Sequence, residues 1–175
     1  MPVDIHCRLP RLPEDAYLGC KHMHLVAATE KRRRVFVTRK VVDPCVEMLR
    51  DTCAQFDCEG VVYVFMPDHV HMVLHELSNS SNGLHCHNHW KGESGSVLAQ
   101  MLHGGTIWQE RSFDHVFRSK EYERHALAKT LSYILENSVR AGLADHWSEY
   151  PYLGSLIGSY DIRHPYWWTW FHDES

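Results

Sequence analysis

The chain has 175 residues, 44% hydrophobic and 23% charged, the make-up of one globular domain with little room for wholesale disorder. No run approaches the roughly 18–20 uncharged apolar residues of a membrane span, and the N-terminus lacks a basic-then-apolar signal layout; a cytoplasmic protein with no membrane partner is expected. Lys and Arg total 18 against 22 Asp and Glu, a net charge of −4, which excludes nucleic-acid binding by bulk charge and requires any basic surface to be local.

Residues 1–22, with Pro2, Pro10 and Pro13, read as an irregular arm before a domain over 23–155. Residues 23–29 (MHLVAAT) suit a buried strand. A basic turn follows at Lys31, Arg32, Arg33 and Arg34, then a short extension over 35–38. Asp43 before Pro44 predicts a helix start, an N-cap followed by proline at the first helical position. Val46, Leu49, Cys53 and Phe56 continue at spacings of 3, 4 and 3, one face of an amphipathic helix, and Gly60 is expected to close it. Residues 61–66 (VVYVFM) and 69–75 (HVHMVLH) flank Pro67-Asp68 as a hairpin. A flexible loop rich in Ser and Asn leads to a helix over 84–101, whose course Gly92 and Gly95 leave open.

Residues 112–118 alternate well enough for an edge strand. Residues 121–143 form the longest helical pattern, with Leu127, Leu131, Ile134, Leu135 and Ser138 on one side and Gly142 near its end. A tail over 156–175 holds Tyr160, Tyr166, Trp167, Trp168, Trp170 and Phe171, more in keeping with packing on the domain than with binding. The order strand, helix, hairpin, helix, strand is βαββαβ. It predicts an α+β, ferredoxin-like fold with helices on one face of an antiparallel sheet, then one more helix and the tail.

Six cysteines (Cys7, Cys20, Cys45, Cys53, Cys58 and Cys86) contain no C-x-x-C pair and read as reduced thiols. Fifteen histidines make a metal site worth seeking. His69 and His71, two apart on a strand, put both imidazoles on one face, a pair suited to Mn, Fe or Zn. Read alone, the pair fits equally well a half-exposed strand with no ligand role. At about 100° per residue, Tyr133 stands roughly 150° from the apolar stripe of its helix, among Lys129, Asn137 and Arg140. Asn137, one turn on, offers an amide oxygen as a third ligand. Cys86 with His85, His87 and His89 looks metal-like but lacks the second pair of a structural zinc site, and belongs to a loop or exposed helix. Tyr122 is a rival nucleophile without an amide or carboxylate four residues on.

Four ordered motifs then come together. They are Met66-Pro-Asp-His-Val-His71, Trp108-Gln-Glu-Arg-Ser-Phe-Asp-His-Val-Phe-Arg118, Tyr133-Ile-Leu-Glu-Asn-Ser-Val-Arg-Ala-Gly-Leu143 and Tyr150-Pro-Tyr-Leu-Gly-Ser155. In this order and spacing the sequence resembles the single-tyrosine HUH transposases, in particular the REP-associated tyrosine transposases, from about Met23 to Ser155. The stretch from Trp90 to Gly95 is similar to that family's helix bearing a basic residue, here Lys91. Two positions depart from the pattern. Ser138 stands where proline is usual, which predicts a straighter helix past Asn137, and Asp68 stands where asparagine is usual.

Carried over, the resemblance implies a metal-dependent nickase and strand transferase for single-stranded DNA at hairpin-bearing repeats. It makes Tyr133 the nucleophile, and His69, His71 and Asn137 the ligands of a divalent ion, Mg or Mn. It implies a nucleoid-associated monomer or homodimer. DNA contacts are expected from Arg32, Arg33, Arg34, Lys91, Arg118, Lys120 and Arg140, each weighed against an ordinary solvated charge. A domesticated relative that grips hairpin DNA without cutting is the alternative. A histidine-triad hydrolase would need a third histidine where Val73 sits.

Overall fold

The computed structural model describes residues 12–122 and 125–158; the tail aromatics from Tyr160 onward lie outside them. Five antiparallel strands form one sheet: β1 (His22–Ala28), β2 (Cys58–Met66), β3 (His69–Glu76), β4 (Phe113–Val116) and β5 (Leu153–Gly154), in spatial order β4-β1-β3-β2-β5. The first four give the ferredoxin-like order expected from βαββαβ, an α+β fold. The fifth adds to β2 through Tyr63↔Gly154 and Val64↔Leu153, a strand the sequence pattern did not announce. Gly154 suits this place because a Cβ there would collide with the Tyr63 ring and hydroxyl. Tyr150 fixes the approach of the segment by donating its hydroxyl to the Phe65 carbonyl (2.8 Å).

Period-2 alternation sorts the strands between two apolar layers. On one face Met23, Leu25, Val70, Met72 and Leu74 meet helices α1 (Arg39–Gln55) and α2 (Gly83–Met101). On the other, Val62, Val64 and Val73 meet Leu127, Leu131, Ile134 and Leu135 of helix α4 (Ala126–Leu135). Burying each such side chain contributes about 1.5–3 kcal/mol, so all three helices are held by their buried faces.

Helix α1 starts at Arg39, four residues before the expected Asp43–Pro44 boundary, and Pro44 lies inside it. Val41 and Val42 are buried and both bond the Thr38 carbonyl (3.1 Å each). Their burial draws the first turn backwards, and Pro44 forfeits one intrahelical bond near the end. The helix stops at Gln55, and Asp57 makes the turn with positive φ. Gly60 belongs to β2, where a Cβ would collide with Leu156 at 2.7 Å. The extension over 35–38 is not a strand; its buried Val35 and Phe36 both donate to the Pro67 carbonyl.

Helix α2 runs unbroken through Gly92 and Gly95. Gly95 lets Trp108 approach to 3.1 Å of where a Cβ would stand, and the Trp108 indole donates to Ser94 (3.1 Å). At its start Asn82 accepts from His85 N–H (3.0 Å) and Glu76 from Gly83 N–H (2.5 Å). Cys86 and His87 are buried in this helix, not exposed. The neighbouring Cys53 and Cys58, together with burial, raise the pKa of the Cys86 thiol and keep it protonated, so Cys53, Cys58 and Cys86 act as core residues.

The long helix expected over 121–143 is three pieces: α3 (Ser119–Tyr122), α4, and α5 (Asn137–Arg140). His125 takes a left-handed conformation (φ 53°) just before α4, and Glu136 separates α4 from α5. Serine at 138 therefore does not straighten the helix. Its hydroxyl instead donates to the Leu135 carbonyl (3.3 Å), while the Asn137 amide donates to Ile134 (3.3 Å) and Arg140 to Tyr133 (2.8 Å). Three successive carbonyls at the break are thus met by side chains, as the end of a helix requires.

Candidate active site

The β2–β3 hairpin turns at Pro67-Asp68 and delivers His69 and His71 to the α4 face of the sheet, with ring centroids 4.9 Å apart. His71 is 4% exposed, and His69 is partly buried. Tyr133 projects from α4 with its ring edge-on to His71, centroids 6.1 Å apart, and is 37% exposed. The tyrosine helix therefore sits over the histidines of its own chain. Arg140 lies across the tyrosine, its guanidinium carbon 4.1 Å from the ring centroid.

Each imidazole has one nitrogen engaged. His69 Nδ1 meets the Asp68 carboxylate at 2.6 Å, and Asp68 is in turn 3.6 Å from Arg32. His71 Nδ1 meets His24 Nε2 on β1 at 3.1 Å. Burial lowers the pKa of His71 well below its ordinary value, with the neighbouring His24 and His69 adding to the effect. Burial also lowers that of His69, partly opposed by Asp68. Both rings are thus held neutral, the form that binds metal. Engaging Nδ1 leaves Nε2 to present to an ion, the usual arrangement around a ligating histidine.

The donor set fits a divalent ion at His69 and His71, and two imidazoles leave room for oxygen ligands. Asn137 is less ready. Its Oδ1 accepts from Arg140 at 2.9 Å and its Nδ2 donates to Ile134, so a ligating amide oxygen would share its two lone pairs between the ion and the guanidinium. Among the described residues no group of three His, Cys, Asp or Glu side chains could hold a metal.

The expected basic residues separate by their engagements. Lys91 donates to the carbonyls of Gln109 (2.8 Å) and Glu110 (3.4 Å) and to Ser112 (2.9 Å), which uses all three ammonium hydrogens and makes it a staple between α2 and the approach to β4. Arg33 donates to Thr106 (2.6 Å). Arg34, Arg118 and Lys120 are exposed. His24 is the residue the sequence reading missed. It lies in His22-Met23-His24, a second His-x-His on a strand, and that repeat was the available signal.

The antiparallel sheet in order β4-β1-β3-β2, packed between helices, defines an α+β, ferredoxin-like fold. The chain matches the model of the IS200-like transposases over residues 19–137 and belongs to that family, whose members act in DNA transposition by nuclease or transesterification chemistry. No curated protein matches it by sequence. Among solved structures it is similar to a REP-associated tyrosine transposase bound to a REP hairpin, at TM-score 0.63 and 17% identity, covering 83% of this chain and 80% of that one. It is also similar to a candidate transposase from Deinococcus radiodurans R1, at TM-score 0.50 and 24% identity, covering 72% and 95%. Among the described residues no helix is long and apolar enough to cross a membrane.

Proposed function

We propose that this transposase cuts and rejoins single-stranded DNA at hairpin-bearing repeats, with Tyr133 as the nucleophile, in the manner of the REP-associated enzymes. The observation that carries the reading is Tyr133 standing edge-on to His71 within one chain, with Arg140 laid across it. The phenol oxygen attacks phosphorus, the phosphorus–O3′ bond breaks, and the strand ends as a 3′-hydroxyl and a 5′-phosphotyrosine. The phenol gives its proton to solvent and the leaving oxygen takes one from it, so protons balance. A later 3′-hydroxyl reverses the step and joins strands without nucleotide hydrolysis, covalent catalysis in two halves.

His69 and His71 would hold a divalent ion, Mg or Mn, with the Asn137 amide oxygen as a third ligand. When bound, the ion supplies Lewis-acid polarisation of the scissile phosphate. Asp68 and His24 orient the two imidazoles. Arg140, with Arg32, Arg34, Arg118 and Lys120, provides the local positive surface that an acidic chain needs to hold a phosphate backbone. Because Tyr133 meets His71 of its own chain, a monomer would contain a whole site.

The test is covalent trapping of hairpin-bearing single-stranded DNA from the flanks of the chain's own gene, with Mn or Mg, on a denaturing gel. A metal-dependent adduct that disappears in Tyr133→Phe is expected. Tight hairpin binding with no adduct from the unsubstituted chain would replace this reading by a binder without cleavage.

A further inference from the structure

A cavity of about 210 Å³ opens beside Tyr133. Its floor is the half of the sheet next to the part that α4 covers. His24 and Val26 of β1 and Phe113 of β4 line it, with Val26 and Phe113 paired across the strands. Thr130 and Tyr133 of α4 form the wall and Lys129 joins them, with His71 alongside. We infer that this cavity receives the base of a nucleotide flanking the scissile phosphate, and so helps choose which sequence is cut. The inference rests on the transposase reading above.

Four features support it. The lining is mostly hydrocarbon and ring surface, which suits the flat face of a base and not a phosphate. Phe113 and His24 meet at 65° with centroids 5.6 Å apart, so a base stacked on one ring meets the edge of the other, both favoured aromatic contacts. Thr130 and Lys129 offer a hydroxyl and an ammonium to the polar edge of the base. Finally, Tyr133 and His71 belong both to the cavity and to the reaction centre. A base held there carries its own phosphate to the nucleophile, and the positioning contributes to the rate.

The experiment is a photocrosslinking scan on the full chain carrying Tyr133→Phe, which leaves the strand uncut. Hairpin-bearing single-stranded DNA from the gene's flanks is prepared with 5-iododeoxyuridine at one position at a time, irradiated, and the adducts mapped by mass spectrometry. The cut made by the unsubstituted chain is mapped on the same DNA. Adducts on Phe113 or His24 are expected only from a position adjacent to that cut. In otherwise unsubstituted protein, Phe113→Ala is expected to reduce about tenfold the discrimination between a base and an abasic site at that position, in line with the loss of one stacking partner, and nowhere else. Thr130→Leu fills the cavity from the helix side without touching the sheet, and should flatten the same position should Phe113→Ala fail to fold. Cutting with adducts mapped elsewhere, or discrimination that survives the substitution, would overturn the pocket and leave the transposase reading standing. A strand neither cut nor bound would sink both. Adducts that form only after residues 159–175 are removed would show that the chain's own C-terminal segment fills the cavity, and would also overturn the proposal.

Discussion

An imidazole presents one nitrogen to an ion reliably only when its other nitrogen is committed, and His69 and His71 meet this condition through different partners. Asp68 accepts from His69 at 2.6 Å, and the tautomer that donates from Nδ1 is the one that leaves Nε2 bare. For His71 the partner is His24, whose own pKa is lowered to about 3 by burial and by the neighbouring His115; a neutral His24 can accept through Nε2. Replacing His24 by phenylalanine keeps a ring of similar size against Phe113 but removes the acceptor. Manganese affinity, followed by titration calorimetry without DNA, should fall roughly 10–100-fold, while the melting temperature changes little. An unchanged affinity would mean that His24 only fills space. Asp68→Asn should do less, since an amide oxygen still accepts. The His-x-His of the hairpin was legible because its motif is contiguous. His24 was not, because its partner lies 47 residues away and only the register Val26↔His71 brings β1 beside β3.

The elements that bury one clean stripe or one clean alternation, α4 and the β2–β3 hairpin, were readable from spacing alone. Boundaries were not, because they depend on single backbone bonds whose partners are distant: the Pro67 carbonyl for residues 35 and 36, and the Thr38 carbonyl for the start of α1. The break after α4 was hidden for a related reason. Leu127, Leu131, Ile134 and Leu135 continue in helical phase into the buried Ser138, and periodicity does not register a turn at Glu136. That break gives the serine at 138 a meaning. It is the second residue of α5, where the backbone N–H lies among those a helix leaves without an internal partner, a position that tolerates proline. Ser138→Pro, which restores the residue usual at this place, should cost only about 1 kcal/mol for the hydroxyl's bond to Leu135, well below the roughly 3 kcal/mol of an interior proline. Urea unfolding measures the difference. A loss near the larger figure would mean that α4 and α5 act as one continuous helix.

Across the whole molecule the 15 histidines bear on how the fold responds to acid. His22 stacks on His75 across β1 and β3, with centroids 4.2 Å apart, and burial followed by the neighbouring His75 lowers its pKa to about 3. His24 is lowered as far. In the unfolded chain such groups titrate near 6.5. Their neutral burial thus favours the fold fully above about pH 6.5, and this contribution is lost progressively as pH falls toward 3. Glu76 acts in the opposite sense. Burial raises it to about 7, against the bond from Gly83 N–H and the charge of Lys21, so its contribution is complete below about pH 4.5 and is lost as pH rises through 7. Between about 4.5 and 6.5 two imidazoles oppose one carboxyl, and His69 and His71, also lowered, add to the imidazole side. The metal-free protein should therefore lose stability on acidification, at about 1.4 kcal/mol per pH unit for each net proton. His22→Phe, which keeps the stack on His75, should make the profile shallower by about one proton. Glu76→Gln should stabilise the protein near pH 8, where the buried carboxylate is charged. It should also steepen the acid limb, because the offsetting carboxyl is gone. Urea unfolding at pH 8, 7, 6 and 5 compares the three chains. Parallel profiles would mean that neither His22 nor Glu76 changes its proton affinity on folding, and that the acid response lies with other groups.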